Sequence, residues 1–150
     1  MTLPVRPEAE RIFQWPIRVY WEDTDAGGIV FYANYLKFFE RSRTEWLRSL
    51  GIEQQRLKDS TGGMFVVSDA RIRYHRPARL DDELVVTASR EETGRASMTL
   101  KQQVFLKAGP ADVSPAVLLC EGTVRIGWVS AASLQPMRIP ACILDSLKSG

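Results

Sequence analysis

The chain has 150 residues, 45% of them apolar and 25% charged, and 20 Lys and Arg against 18 Asp and Glu leave a net charge of +2. That length supports a single domain over 1–150 with a core that needs no metal or disulfide, and the composition excludes collagen-like and disordered chains. Near-balanced charge argues against a nucleic-acid partner, apolar runs as short as Ala116 to Cys120 exclude a membrane-spanning helix, and Met1 to Arg11 lacks the apolar stretch of a signal peptide.

The first element is a strand. Phe13, Trp15, Ile17, Val19 and Trp21 share one parity, which predicts one buried face, and Pro16 places the strand at a sheet edge or makes position 16 its effective start. After a glycine-containing loop the period becomes helical: Leu36, Phe39, Trp46, Leu47 and Leu50 form a stripe within 33–50, a helix of about 27 Å at 1.5 Å per residue. Asn34 is the expected N-cap and Gly51 the expected C′ residue. Ile52 to Asp59 predicts a short second helix before the Ser60–Gly63 turn.

From there the chain reads as strands. Met64, Val66, Ser68, Ala70, Ile72 and Tyr74 form one face, and Pro77 to Glu83 turns the chain into Leu84 to Arg90. A turn around Gly94 leads to the Ala96, Met98, Leu100, Gln102, Val104, Leu106 face. A Gly109 to Pro115 loop precedes Ala116 to Val129, where Leu118, Cys120, Val124, Ile126 and Trp128 share a parity, and the tail ends in a last helical turn. Short connections favour antiparallel pairing, and one amphipathic helix needs an apolar sheet face to cover. The expected class is α+β, with an antiparallel sheet of about five strands wrapped around one long helix. Cys120 and Cys142 lack CxxC spacing, which predicts reduced thiols and a cytoplasmic protein, with Cys120 a core thiol.

The loop Glu22-Asp23-Thr24-Asp25-Ala26-Gly27-Gly28-Ile29-Val30-Phe31-Tyr32 carries the chemistry. Three acids precede two glycines that let a ligand approach the backbone, and the following helix start presents unpaired N–H groups and a positive dipole end. A carboxylate and an oxyanion-stabilising end facing one cleft suit hydrolysis of an activated acyl group. A thiol leaving group, with a pKa near ~8.5, needs little acid assistance, so a thioester fits better than an amide. Two readings compete: a solvated, capped turn, and a calcium loop, which puts Gly27 at the fifth ligand position and Asn34 where the bidentate Glu belongs. No metal site is expected. Parity does not separate Asp23 from Asp25.

The run Tyr20 to Tyr35, followed by Phe38-Phe39-Glu40-Arg41-Ser42-Arg43-Thr44-Glu45-Trp46-Leu47 and by Tyr74-His75-Arg76-Pro77-Ala78-Arg79-Leu80-Asp81-Asp82, resembles the hotdog-fold acyl-CoA thioesterases over roughly residues 13 to 140. Within them it is most similar to the Tol–Pal-associated (YbgC-like) branch, and is related to 4-hydroxybenzoyl-CoA thioesterase. The resemblance implies that Asp25, the second Asp of the pair, is the catalytic nucleophile or general base, and that the Tyr32 backbone N–H is the oxyanion donor. Some envelope-associated members carry His at that position, so only a backbone role transfers. The resemblance further implies a homodimer joined edge to edge, often a homotetramer, with active sites between protomers. It implies no cofactor, coenzyme A being part of the substrate.

Gly27, Gly28 and Phe31 are the expected substrate contacts in the loop. Of the basic run Arg71, Arg73, Arg76 and Arg79, Arg76 and Arg79 are assigned to the coenzyme A phosphates, whose geometry guanidinium groups match; a solvated strand face is the alternative. His75 reads as structural. The rival function is a non-catalytic hotdog protein that binds acyl carrier protein or an envelope-complex partner. A hotdog dehydratase would need a His and acid pair, and His75 lies outside the loop.

Overall fold

The computed structural model describes residues 12–108 and 116–148; the readings of Met1 to Arg11 and of the Gly109 to Pro115 loop lie outside the described residues. In chain order the elements are β1 (Phe13–Arg18), α1 (Asn34–Ser49), α2 (Gln54–Thr61), β2 (Gly63–Tyr74), β3 (Glu83–Thr93), β4 (Ser97–Leu106), β5 (Val117–Ser130) and α3 (Ala141–Lys148). The strands form one antiparallel sheet in the order β1-β3-β4-β5-β2. The consecutive strands β3, β4 and β5 are neighbours, β1 and β2 on either side of α1 and α2 take the two edges, and Pro16 lies on edge strand β1. The α+β reading with five strands and one long helix therefore holds, and the last helical turn is the full helix α3.

Helix α1 lies over the sheet and buries Tyr35, Phe38, Phe39, Ser42, Arg43, Trp46 and Leu47. These join a core with Leu84, Val86 and Ala88 of β3, Met98, Leu100 and Val104 of β4, and Val124, Ile126 and Trp128 of β5. Gly51 ends the helix at φ +81°, and the paired bonds Gly51 N–H to Arg48 C=O (3.0 Å) and Ile52 N–H to Leu47 C=O (2.9 Å) make a Schellman motif. The N-terminal expectation is corrected. Ala33 is the N-cap, and the Asn34 side chain donates instead to the Asp23 carbonyl at 2.8 Å, tying the helix start to the preceding loop.

Leu36, placed on the buried stripe from sequence, is exposed, and the buried face runs through polar residues that hide it from a hydrophobicity pattern. Those residues are satisfied. Arg43 donates to Gln102 Oε1 (2.9 Å), Gln102 Nε2 donates to the carbonyls of Phe39 (2.9 Å) and Thr87 (3.2 Å), and Ser42 Oγ donates to the Val86 carbonyl (2.9 Å). Burial lowers the Arg43 guanidinium pKa from its ordinary value, with Glu40 opposing the shift.

Three strand readings also change. β1 stops at Arg18, and Trp21 opens a 3₁₀ turn, so it stands 78% exposed; Trp15, on an edge strand, is 37% exposed and stacks on Phe13. In β2 a bulge between Val67 and Asp69 reverses the parity, so that Phe65 and Ile72, on opposite predicted faces, both pack on the core while Met64 does not. A register shift opposite Val104 and Phe105 likewise buries Leu119 rather than Leu118.

Candidate active site

The acidic loop folds as a small hairpin between the end of β1 and the start of α1. Thr24 and Val30 form a bridge, Asp25 N–H donates to the Ile29 carbonyl (2.9 Å), and Gly28 N–H closes the turn on the Asp25 carbonyl (3.1 Å). Gly28 sits at φ +78°, where a side chain would be strained and where bulged hairpin turns place glycine. The hairpin is held from behind by the segment following β2. Val30 N–H donates to the Ala78 carbonyl (2.9 Å) and Leu80 N–H to the Gly28 carbonyl (3.1 Å), pairing Ile29 with Arg79.

This geometry separates the two carboxylates that parity left equivalent. Asp23 is 4% exposed, and its side chain accepts the Tyr20 N–H at 2.9 Å within the 3₁₀ turn, while its carbonyl accepts from Phe31 N–H (3.0 Å) and the Asn34 amide. Asp25 is exposed at the hairpin tip, with Oδ1 accepting the Gly27 N–H at 2.8 Å. One acid is built into the frame and the other stands on it. The two are engaged in different turns, and among the described residues no group of three or more His, Cys, Asp or Glu is arranged to hold a metal ion.

Seven residues after Asp25, the Tyr32 N–H has no hydrogen-bond partner among the described residues, and Tyr32 directly precedes the N-cap of a 16-residue helix whose dipole is positive at that end. Phe31 and Tyr32 are both exposed, their ring centroids 4.7 Å apart. Two further tyrosines frame this region. Tyr74, the last residue of β2, donates its hydroxyl to the Tyr32 carbonyl at 2.8 Å, and buried Tyr35 accepts the Ala78 N–H on its hydroxyl at 2.9 Å. Tyr74 and Tyr32 are 42 positions apart, so no spacing signal could have paired them.

The basic run divides. Arg79 is exposed beside the hairpin through its bridge to Ile29, and Arg76 is exposed in the same turn, its N–H on the Leu119 carbonyl (3.0 Å). Arg71 and Arg73 instead line a cleft of about 320 Å³ over β2, β3, β4 and β5 that also contains Lys101, Glu91 and Glu121, and Arg71 pairs with Asp69 at 3.7 Å. His75 faces Glu121 at 3.6 Å. Cys120 is fully buried, and burial with nearby Glu121 pushes its thiol up to about 12. That suits a core thiol and not a nucleophile.

The family model of the thioesterase superfamily matches residues 27–111. The chain is 38% identical over 128 residues to the acyl-CoA thioesterase YbgC of Haemophilus influenzae, covering 85% of this chain and 88% of the relative. It is 36% identical over 137 residues to the acyl-CoA thioester hydrolase YbgC of Escherichia coli O157:H7, covering 91% and 96%. Among solved structures, a probable thioesterase from Bartonella henselae matches with a TM-score of 0.74 at 30% identity, over 86% of this chain and 99% of its own. A mutant 4-hydroxybenzoyl-CoA thioesterase complexed with 4-hydroxybenzoyl-CoA matches with a TM-score of 0.82 at 17% identity, over 91% and 98%, a likeness of fold alone.

Proposed function

The chain belongs to the thioesterase superfamily and has a hotdog fold, and from that premise we propose that it hydrolyses an acyl-CoA thioester, with Asp25 as the reacting carboxylate and the Tyr32 backbone N–H as oxyanion donor. The observation that supports this best is the division of labour between the two acids: Asp23 is consumed by the frame, whereas Asp25 is exposed on a rigid hairpin that leads to an unpaired N–H at a helix start.

The thioester carbonyl oxygen takes the Tyr32 N–H as its charge develops, aided by the positive end of α1. Asp25 acts by one of two routes. It attacks the carbonyl carbon, forming an anhydride that water then cleaves, or it takes a proton from the water that attacks. In both the C–S bond breaks, coenzyme A leaves as its thiolate, water supplies the new acid oxygen, and no strong acid is needed. Gly27 and Gly28 let the thioester approach the backbone, Phe31 offers an apolar wall to the acyl group, and Arg76 and Arg79 receive the phosphates. Coenzyme A is substrate and no separate cofactor takes part.

β2 is a 12-residue edge strand with Val67 52% exposed, a ready pairing surface that supports an edge-to-edge homodimer, itself able to pair into a homotetramer. The free Cys120 and Cys142 thiols support a cytoplasmic location, and no helix among the described residues is long and apolar enough to cross a membrane. The test is thiol release from acyl-CoAs of short, long and aromatic chain, with the mass measured by light scattering. Turnover of at least one class is expected, at a mass of two or more 17.0 kDa chains. Binding of acyl carrier protein without turnover of any acyl-CoA would favour the non-catalytic reading.

A further inference from the structure

We propose that Tyr74 is a positioning residue for the oxyanion donor: its hydroxyl, hydrogen-bonded to the Tyr32 carbonyl, holds the backbone of Tyr32 in the orientation that presents the Tyr32 N–H. The inference rests on the thioesterase reading above and extends it to a residue on the far strand.

From Asp23 to Asn34 the hairpin is held by backbone bonds and by local side-chain bonds of Asp23, Asp25 and Asn34. Asp25 pairs with Ile29, Val30 with Ala78, Phe31 with Asp23, and Asn34 N–H with the Phe31 carbonyl at 2.8 Å. Tyr32 is different. Its N–H has no partner among the described residues, and its carbonyl takes its donor from a side chain, the Tyr74 hydroxyl at 2.8 Å. Two successive peptide planes therefore set the direction of the Tyr32 N–H. Asn34 anchors the plane that contains it, and Tyr74 anchors the next. Releasing the second frees Tyr32 to rotate and loosens the turn that Asn34 closes. A preorganised donor works because its aim costs nothing at the moment of reaction, so slack in that plane weakens transition-state binding more than substrate binding.

Tyr74 can serve as an anchor because it is itself braced. Its ring meets the Tyr32 ring edge-on (centroids 6.3 Å, 88°) and the Tyr35 ring (5.5 Å, 63°), and the Tyr35 hydroxyl is bonded to Ala78, whose carbonyl holds Val30. The register Tyr74↔Cys120 ties its backbone to β5. Burial, with Cys120 and the two tyrosines nearby, raises the Tyr74 phenol above its ordinary value, so it remains a protonated donor across the working pH range.

The experiment compares wild type, Tyr74→Phe and Asp25→Asn in steady-state thiol release. Tyr74→Phe keeps the ring contacts and removes only the donor. Its kcat should fall roughly tenfold, the scale of one hydrogen bond's net worth, with KM within about twofold and the melting midpoint unmoved. Amide hydrogen exchange in the Tyr32–Leu36 peptide should accelerate in the same variant while the rest of α1 is unchanged, a readout independent of turnover. Normal kcat and unchanged exchange in Tyr74→Phe, alongside an active wild type and a crippled Asp25→Asn, overturn this inference alone. A kcat loss matched by a raised KM and a lowered melting midpoint marks Tyr74 as merely structural and also overturns it. An inactive wild type, or near-normal turnover by Asp25→Asn, overturns the thioesterase assignment and this inference with it.

Discussion

Asp23 and Asp25 lie two residues apart in a loop of the same composition, and their substitutions should fail in opposite ways. Asp25→Asn replaces an exposed carboxylate by an amide whose oxygen still accepts the Gly27 N–H now bonded at 2.8 Å, so the hairpin keeps its shape. What disappears is the charge proposed to attack the thioester or activate water, and its loss should give a ~10² to 10⁴-fold fall in kcat, or about 3–5 kcal/mol of barrier. Asp23→Ala removes the acceptor of the Tyr20 N–H from a site only 4% exposed, leaving a part-buried donor unpaired. That costs about 2 kcal/mol of stability, which lowers the melting midpoint by about 4–8 °C in a chain of this size. Turnover should then stay within about tenfold of wild type at temperatures where the variant is folded. The assay is thiol release under saturating acyl-CoA, run beside thermal unfolding followed by circular dichroism. An Asp25→Asn enzyme with near-normal kcat, or an Asp23→Ala enzyme that melts normally but loses more turnover than Asp25→Asn, would refute the reasoning.

Arg79→Ala should raise KM for acyl-CoA with little change in kcat, by an amount that shrinks in high salt, whereas Arg71→Ala, within its mixed-charge cleft, should leave KM unchanged; kinetics at two ionic strengths check both. Gln102→Leu strands the Arg43 guanidinium and two buried carbonyls, and should cost about 3 kcal/mol or more, seen as a urea midpoint lowered by about 1 M or more. A thiol reagent should titrate exposed Cys142 in the native protein and reach buried Cys120 only after unfolding. Cys120 is held at about 12 against an ordinary 9.0, so the unfolded chain loses this proton first; the associated stability is complete below about pH 9 and drains away between pH 9 and 12. Melting midpoints measured across that range should decline less steeply in Cys120→Ala.

The elements of this fold were legible because each is a local periodicity. Alternation marks the strands, the 3.6-residue stripe marks α1, and Gly51 marks its end, while Pro16 allowed either an edge strand or a strand start, and the sheet order settles it as an edge. The acidic glycine loop was also legible as a candidate site, since acids, glycines and a helix start are neighbours in the chain. What sequence could not supply depends on partners far along the chain. A single bulge after Val67 reverses which side of β2 meets the core, and no period-two pattern survives an inserted residue. Gln102 and Arg43 are buried because each satisfies the other across 59 positions, a fact invisible to hydrophobicity. Asp23 and Asp25 share parity and charge; only the 3₁₀ turn, which spends Asp23 on the Tyr20 N–H, leaves Asp25 exposed. Sequence by itself determined the class of fold and the loop that bears the acids. Tertiary structure decided which acid is exposed, and it set the Tyr74 hydroxyl on the Tyr32 carbonyl, because hydrogen bonds between distant segments form only after the sheet has brought them together.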